Sequence, residues 1–479
     1  MPIHRYRILV AGILATLIPS LAAADELRST LQDQTNVAVT IYNENLALVK
    51  DQRTIQLSHG HNALAFRDVS ARIRPETALL RSLTSPGKLS VIEQNFDFDL
   101  LTPQKLLDKY VGKSVDIIRT NPATGVETTE QAQVLAAANG VVMKIGNRIE
   151  TGIPGRIVYP DVPDNLRDRP TLVMSLNNAG ATTQDVELSY LTGGLAWRAD
   201  YVAELNSTDD KMDLSGWVTL TNTSGASYRN ARLQLVAGDV NQVHDETRFI
   251  AMAAKGGIAP AAAPRMAEES LMEYHLYILD RPTTIAENQT KQVSLLTASA
   301  IPARKDLVLR GAEYYYEAAY GDLGQKMKVG VFLEFANKEA SHLGIPLPRG
   351  VIRVYKKDAS GNVQFVGEDH IDHTPRNEKV RLKLGEAFDV TADKKQTEFK
   401  RLPDTSRHIA LYESAFEIVL KNAKQEAVMV TVQEPIPGYW KIMSENFQHE
   451  KATANTAIWH IPIPAEGSVK LSYRAQVRR

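Results

Sequence analysis

The chain contains no cysteine among its 479 residues. This absence excludes disulfide bonds, thiol chemistry, a cysteine-based zinc site and the acylated cysteine of a bacterial lipoprotein. Secreted eukaryotic proteins of this length usually carry disulfides, so the composition favours a bacterial periplasm or cell surface.

The chain also lacks an excess of charge of either sign. Its formal net charge is −1, which gives no indication of binding to nucleic acid or to an anionic membrane. After the first 24 residues, no run is long and apolar enough to predict a transmembrane helix.

Short catalytic motifs are missing as well. The sequence contains no Gly-x-Ser-x-Gly elbow, no phosphate-binding glycine loop and no dinucleotide fingerprint, and no cofactor is indicated. A catalytic site assembled from residues that are distant in sequence stays possible, because such geometry needs no local motif.

The first 24 residues have the pattern of a secretory signal peptide. His4, Arg5 and Arg7 precede an apolar run over 8–21, and three alanines follow at 22–24. This order of basic, apolar and small residues predicts cleavage near Ala24 and export to the periplasm or cell surface. The apolar run is short for a transmembrane anchor, which is the alternative interpretation.

Most of the remaining chain alternates between apolar and polar residues, most clearly over 172–240. Trp197, Ala199 and Tyr201 occupy one face of a predicted strand, and Arg198 and Asp200 occupy the other. Polar turns separate such segments. The pattern predicts a mainly β protein with several antiparallel, immunoglobulin-like β-sandwich units and few helices. Strand parity also predicts that Trp197 and Trp217 pack in the core.

Several of these segments resemble the bacterial domain-of-unknown-function family 4139, which is related to proteins labelled mucoidy inhibitor A. The similar segments are 190–201, 214–222, 232–240, 273–277, 288–292 and 367–375. The resemblance covers the chain from about residue 35 onward. It implies a β-rich exported protein and brings no established activity or catalytic residues.

The length predicts three or four domains, because a single core rarely grows to this size. Thr102 and Pro103 predict the start of a short helix, and five short β-segments with tight turns follow it. The predicted divisions are the signal peptide (1–24), an N-terminal β-domain (25–100), a small SH3-like barrel (101–160), a central β-sandwich region (161–405) and a C-terminal immunoglobulin-like sandwich (406–479).

A segment rich in glycine, proline and alanine interrupts the central region. It lies over 245–270 and shows no hydrophobic periodicity. This composition predicts a flexible loop, with a partner-binding segment as the alternative.

The densest polar cluster spans 368–373. Carboxylates and imidazoles this close in sequence could bind a divalent metal through Asp369, His370, Asp372 and His373. On a strand, however, His370 and His373 face opposite sides, and Asp369 lies roughly 13 Å from His373. We therefore favour a strand end whose polar groups form hydrogen bonds, and a metal site would require the chain to turn.

Two aromatic groups could contact a ligand or partner. They are Tyr314, Tyr315 and Tyr316, and Tyr439 with Trp440. Such rings form platforms for sugars or peptides. Three consecutive tyrosines on a strand must face both sides, so at least one is expected at the surface or an interface. Packing in the core is the alternative.

These observations predict an exported cell-envelope protein that acts as a non-catalytic binding or scaffold module for an envelope protein or polymer. One alternative is a periplasmic hydrolase or carbohydrate-active enzyme, favoured by two carboxylates roughly 5–10 Å apart in a cleft. Another is a subunit of a surface assembly, favoured by exposed strand edges. The sequence does not indicate the oligomeric state.

Overall fold

The computed structural model describes residues 26–43, 45–97, 99–138, 140–163, 166–238, 240–241, 266–271, 274–358, 360–403 and 410–478. The predicted signal peptide lies outside them. The contacts divide the chain into two compact units, Met1–Asn36 with Lys50–Tyr190 and Val37–Val49 with Leu191–Arg479. The prediction of a mainly β fold with few helices is confirmed, since the described residues contain 30 strands and one α-helix.

The first unit holds the early strands and the helix. Its elements are β1 (Leu27–Ser29), parts of β2 (Gln34–Tyr42) and β3 (Ala47–Gln56), β4 (Gly60–Arg67), β5 (Leu79–Ser82), β6 (Leu89–Asp97), α1 (Pro103–Lys109), β7 (Ser114–Thr120), β8 (Glu127–Ala136), β9 (Val142–Ile145), β10 (Arg148–Thr151), β11 (Arg156–Val158), β12 (Thr171–Asn178) and most of β13 (Thr183–Thr192). One sheet has the order β1-β4-β12-β6, with β1 parallel to β4. Strand β5 pairs with β13.

A five-stranded antiparallel sheet of order β10-β9-β8-β7-β11 follows the helix. The Thr102 hydroxyl accepts a hydrogen bond from the Lys105 amide at 3.2 Å, which confirms the predicted helix start. Leu107 and Tyr110 from this helical segment pack against the buried residues of the sheet. Among the described residues the two outer strands do not pair with each other. The sheet is therefore open, unlike the predicted SH3-like barrel, and Leu107 and Tyr110 pack against its apolar face.

The second unit holds the remaining strands. They are β14 (Leu195–Leu205), β15 (Lys211–Asn222), β16 (Tyr228–Ala237), β17 (Ala267–Leu271), β18 (Tyr274–Ile278), β19 (Thr283–Ile285), β20 (Gln289–Arg310), β21 (Asp322–Ala336), β22 (Gly350–Lys357), β23 (Val363–Ile371), β24 (Lys379–Leu402), β25 (Leu411–Asn422), β26 (Val428–Pro435), β27 (Tyr439–Glu445), β28 (Glu450–Thr453), β29 (Thr456–Ile463) and β30 (Ser468–Arg478). Short 3-10 helices span Pro75–Thr77 in the first unit and Glu313–Tyr316 and Glu339–Ser341 in the second.

One path of paired strands runs through most of the second unit, in the order β23-β22-β14-β15-β20-β21-β24-β25-β30-β27. Strand β22 lies parallel to β14, and β26 lies parallel to the end of β20. Strand β16 pairs with β18 and lies parallel to β2.

Two strands on this path are unusually long. Strand β20 has 22 residues and β24 has 24. The first part of β20 pairs with β15 and its last part with β21, while β24 pairs first with β21 and then with β25. The core around Phe416, Trp459 and Tyr473 therefore includes residues from β20, β21 and β24. The sandwich predicted over 406–479 thus receives strands from upstream of that boundary.

Trp197 and Trp217, which were both predicted to pack in the core, differ in burial. Trp197 is buried, as predicted, and its indole N–H donates to the Val236 carbonyl at 3.2 Å. Trp217 is 42% exposed, so its prediction as a core residue is wrong. Gly216 and Val218 are buried on either side of it, and alternation therefore directs the Trp217 side chain outward.

Most of the predicted loop at 245–270 lies outside the described residues. Its end, from Ala267, belongs to strand β17.

Candidate functional site

The residues predicted as weak metal ligands lie at the end of β23 and just after it. The Asp369 carboxylate accepts backbone hydrogen bonds from His370 at 2.8 Å and from Lys383 at 2.7 Å. The Nδ1 atom of His373 accepts from the Arg349 amide at 3.2 Å. His370 and Asp372 are exposed. Within the described part of the chain, no three histidine or acidic residues form a group that could hold a metal ion.

The tyrosine run forms a 3-10 helix, Glu313–Tyr316, and not the strand that the parity argument assumed. Tyr314 is 49% exposed, whereas Tyr315 and Tyr316 are buried. One ring of the run is therefore at the surface, as expected. The 3-10 helix, and not strand alternation, determines that this ring is Tyr314. The Tyr314 ring meets Tyr315 edge-on at 4.6 Å and Tyr320 at 5.4 Å between centroids.

A lysine and a glutamate are buried together beneath this helix. Lys394 lies on β24 and Glu434 on β26, and their side chains are 1% and 0% exposed. The Lys394 Nζ atom lies 2.6 Å from each Glu434 carboxylate oxygen. A buried charge is tolerated in a protein core only when a partner and hydrogen bonds compensate it, and both are present here.

Two tyrosine hydroxyls extend this pair into a chain of polar groups. The Tyr316 hydroxyl donates to Oε2 of Glu434 at 3.2 Å and lies 2.8 Å from the Tyr473 hydroxyl. Lys394 Nζ also lies 4.3 Å from the centre of the Tyr315 ring and 5.1 Å from that of Phe416. The amine and carboxyl group are thus enclosed by aromatic rings.

Burial shifts the acid–base behaviour of these groups. It lowers the pKa of Lys394, although the Glu434 charge opposes that shift. Burial first, and then the Glu434 charge, raise the pKa values of Tyr316 and Tyr473 well above the ordinary value. Removing water disfavours the charged form of each group.

The backbone leaves room for this carboxylate at one position. A Cβ atom built on Gly311 would collide with the Glu434 side chain. Glycine is therefore required for the close approach of β20 and β26 around the pair.

The sequence reading did not single out Lys394 or Glu434, although a signal was present. Val430 and Val432 alternate as inward residues of β26, and the same period reaches Glu434. Val390 and Ala392 alternate on β24, and that period reaches Lys394. An acid and a base at inward positions of two strands indicate a buried pair, but only the pairing of distant strands brings them together.

The second predicted aromatic group lies on β27, the last strand of the sheet path. Tyr439 is 85% exposed. The Trp440 indole N–H donates to the Ala454 carbonyl at 2.8 Å, and Lys451 Nζ lies 4.7 Å from the centre of its ring. Among the described strands, β27 pairs with β30 alone. The other edge of β27 therefore has no paired strand among the described residues.

A separate cavity of about 430 Å³ lies in the first unit. Its lining includes Glu26, Arg67, Arg167 and Asp168. Arg167 binds Glu26 at 2.7 Å and lowers the pKa of that carboxyl, and Arg67 binds Asp168. Both carboxylates in the cavity are thus held in ion pairs with arginine, which does not favour a general acid.

A family model described as Domain of unknown function (DUF4139) matches residues 186–479. The chain belongs to this family. The resemblance is thereby confirmed for DUF4139 over residues 186–479. Its extension to about residue 35 and the relation to mucoidy inhibitor A stay predictions. The DUF4139 region includes both Lys394 and Glu434 and the β27 edge. No curated protein matches the chain.

None of the described helices has the length and apolar character needed to cross a bilayer.

Proposed function

We propose that this DUF4139 protein is exported to the cell envelope and acts there as a non-catalytic binding or scaffold module. Its contact surface is the free edge of β27, which receives an extended segment of a partner protein. The observation that carries this proposal is an edge strand whose first residue, Tyr439, is 85% exposed. Exposed edge strands are ready templates for an added strand, because their backbone groups lack a neighbour.

The side chains of β27 indicate the chemistry of the partner. Tyr439, Lys441 and Met443 are exposed on one side, and Lys451 lies over the neighbouring Trp440 ring. On the exposed side, Lys441 lies between an aromatic and a thioether group, which suits an extended segment that carries acidic and apolar side chains. A protein segment fits better than a polysaccharide, since only a peptide backbone can continue the hydrogen-bond ladder.

The export part of the proposal rests on the N-terminal basic, apolar and small-residue pattern and on the lack of cysteine. We expect protein recovered from the periplasmic or surface fraction to begin at Asp25. N-terminal sequencing of fractionated cells measures this. Recovery of the chain in the cytoplasm with its first 24 residues intact would refute export.

The binding surface can be tested by replacing Tyr439 with a photo-crosslinking amino acid in living cells. The same replacement at Tyr314 is the matched control, because that tyrosine is also exposed and is next in sequence to Tyr315, a residue of the core against which Trp440 packs. We expect a discrete protein adduct at position 439 that maps to an extended acidic segment. An adduct with glycan alone would indicate a polymer instead, and no adduct at 439 would exclude this surface.

A second candidate function, a subunit of a surface assembly, is favoured by the opposite end of the same sheet path. Strand β23 is the other terminal strand, and Phe365 on it is 55% exposed, with Val363 and Val366 also exposed. The backbone of β24 packs against the second half of β23 near Gly367 and Asp369. The exposed first half of β23 and the edge of β27 are thus two different surfaces, which allow head-to-tail contacts between copies. Phe365→Lys is then expected to abolish assembly in light-scattering measurements. A chain that stays monomeric at high concentration contradicts this candidate.

The enzyme alternative receives no support from the cavity in the first unit. Its carboxylates, Glu26 and Asp168, are both bound by arginines. We therefore do not propose a hydrolase.

A further inference from the structure

The pair of Lys394 and Glu434 is closed to outside reactants. Both side chains are almost fully buried, and aromatic rings surround the amine. The carboxyl group that faces the amine, 2.6 Å away at both oxygens, is therefore the electrophile within its reach. An amine held against a carboxyl group in a dry interior has the arrangement from which an amide forms.

We propose that Lys394 and Glu434 become joined by an intramolecular amide bond, which links β24 to β26. The Nζ lone pair of the neutral amine attacks Cδ of the protonated carboxyl group. The new N–C bond forms, one C–O bond breaks, and the departing hydroxyl takes a proton from nitrogen and leaves as water. No atom is oxidised or reduced, so the reaction needs no co-reactant.

The reactive forms arise by moving a proton within the pair. The ion pair and the neutral pair of amine and acid contain the same atoms, and one proton moving across 2.6 Å interconverts them. A dry environment favours the neutral pair relative to water, because it penalises both charges. Burial accordingly lowers the pKa of Lys394.

The tyrosines supply a path for protons. The Tyr316 hydroxyl donates to Oε2 of Glu434 and also contacts the Tyr473 hydroxyl. A hydrogen bond to Oε2 polarises the carboxyl group and stabilises the oxygen that must leave. Fixed positions of amine and carboxyl group replace a collision in solution, which greatly raises their effective concentration.

The bond also gives a cysteine-free protein a covalent link. Lys394 and Glu434 are 40 positions apart in the chain. A link over such a span restricts the unfolded chain in the same way as a disulfide does. It would hold β24 and β26 together in an exported protein that contains no cysteine.

Intact-mass spectrometry of the purified, folded full-length protein tests the proposal. We expect its mass to be lower than that calculated from its own N-terminus and sequence by the mass of one water. Proteolysis and fragment sequencing should then recover a branched peptide that joins Lys394 to Glu434. A folded protein with the full calculated mass and no branched peptide overturns the proposal.

Three variants separate bond formation from a merely structural role. Lys394→Met combined with Glu434→Leu removes both charges, so that neither is left unpaired, and should show the full calculated mass. Lys421→Met removes a lysine that is exposed and bound to Asp393, and it should keep the loss of water. Water loss in the double variant would refute the assignment to this pair.

Tyr316→Phe removes the hydroxyl that contacts Oε2 and keeps the ring. We expect the linked fraction to form on the order of 10²-fold more slowly, as for loss of a general acid. Mass measured at intervals after synthesis gives the rate. An unchanged rate excludes the proton path through Tyr316.

Discussion

Among the described residues, each unit contains one ion pair whose two side chains are almost fully buried, and the two pairs differ in their chemistry. In the first unit, Arg53 on β3 binds Asp51 at 2.8 Å, and their side chains are 0% and 5% exposed. Arg53 also donates to the Arg67 carbonyl at 2.8 Å and lies 3.7 Å from the centre of the Phe66 ring. In the second unit, Glu434 is the one hydrogen-bond partner of Lys394 among the described residues, and the Tyr315 and Phe416 rings lie 4.3 and 5.1 Å from its Nζ atom.

The difference between the two pairs lies in the nitrogen group and in the number of its partners. The guanidinium of Arg53 divides its donors between the Asp51 carboxylate and the Arg67 carbonyl, which fixes its position in the core. A lysine amine can lose its proton, and Lys394 directs its charge to a single carboxylate that also accepts from a tyrosine. Burial of a charged pair is therefore not itself a sign of reactivity.

The largest expected effect comes from breaking the lysine pair on one side. Lys394→Met leaves the Glu434 carboxylate buried without its cation and also prevents the proposed amide bond, and should destabilise the protein by about 3–5 kcal/mol. Urea unfolding followed by tryptophan fluorescence measures the change. A loss below about 1 kcal/mol would contradict the tight pairing of these groups. Glu434→Leu added to this variant should restore much of the stability by removing the orphaned charge.

A smaller effect is expected in the arginine pair. Asp51→Asn keeps one acceptor oxygen, and Arg53 keeps the Arg67 carbonyl and the Phe66 ring. We therefore expect a loss of about 1.5–3 kcal/mol, the usual range for hydrogen bonds to charged groups. The same unfolding experiment checks it. If Asp51→Asn lowers the unfolding free energy more than Lys394→Met does, the proposed difference between a cation with several partners and a cation with one hydrogen-bond partner is wrong.

The pH dependence of stability should also separate the pairs. The pKa values of Tyr316 and Tyr473 are raised by burial and by Glu434 above the ordinary value of 10.0. The folded state then holds protons that the unfolded state releases, so this contribution is complete below pH 10 and is lost as the pH rises beyond it. Unfolding free energies at about pH 8 to 11 measure the decline.

Phenylalanine variants provide the control for this pH effect. Tyr316→Phe and Tyr473→Phe should each flatten the decline above pH 10, whereas Asp51→Asn should leave it unchanged, since arginine does not titrate there. If the unfolding free energy falls equally steeply above pH 10 in all variants, groups other than these two tyrosines cause the decline.

The smallest effect is expected for an exposed pair next to the buried one. Lys421 binds Asp393 on β24, and their side chains are 50% and 31% exposed. Because solvent screens such pairs, Lys421→Met should change the unfolding free energy by about 0–1 kcal/mol. A larger loss would mean that the sandwich depends on its surface charges as well as on Lys394 and Glu434.

Alternation along single strands predicted much of the fold. The parity of Trp197, Ala199 and Tyr201 reports their burial correctly, since it depends only on local geometry. Trp217 shows the limit, because the parity argument also predicts it in the core, whereas its neighbours Gly216 and Val218 occupy the inward positions. Alternation along β24 and along β26 also places Lys394 and Glu434 at inward positions, each on its own strand.

The candidate site itself required the tertiary structure. Lys394 meets Glu434 only because the end of β20 lies between β21 and β26, and no local pattern specifies that arrangement. The helical turn at Tyr314 was also missed, since consecutive tyrosines suit strands well and the turn depends on packing above the pair.

Strands β20 and β24 have a mechanical consequence for the second unit. Each is one continuous backbone segment that is zipped to different neighbours along its two halves. A pulling force applied to either half passes along the covalent backbone into the other half, because no flexible linker separates them. Under force, this region should therefore unfold in a single event and not as a series of independent domains.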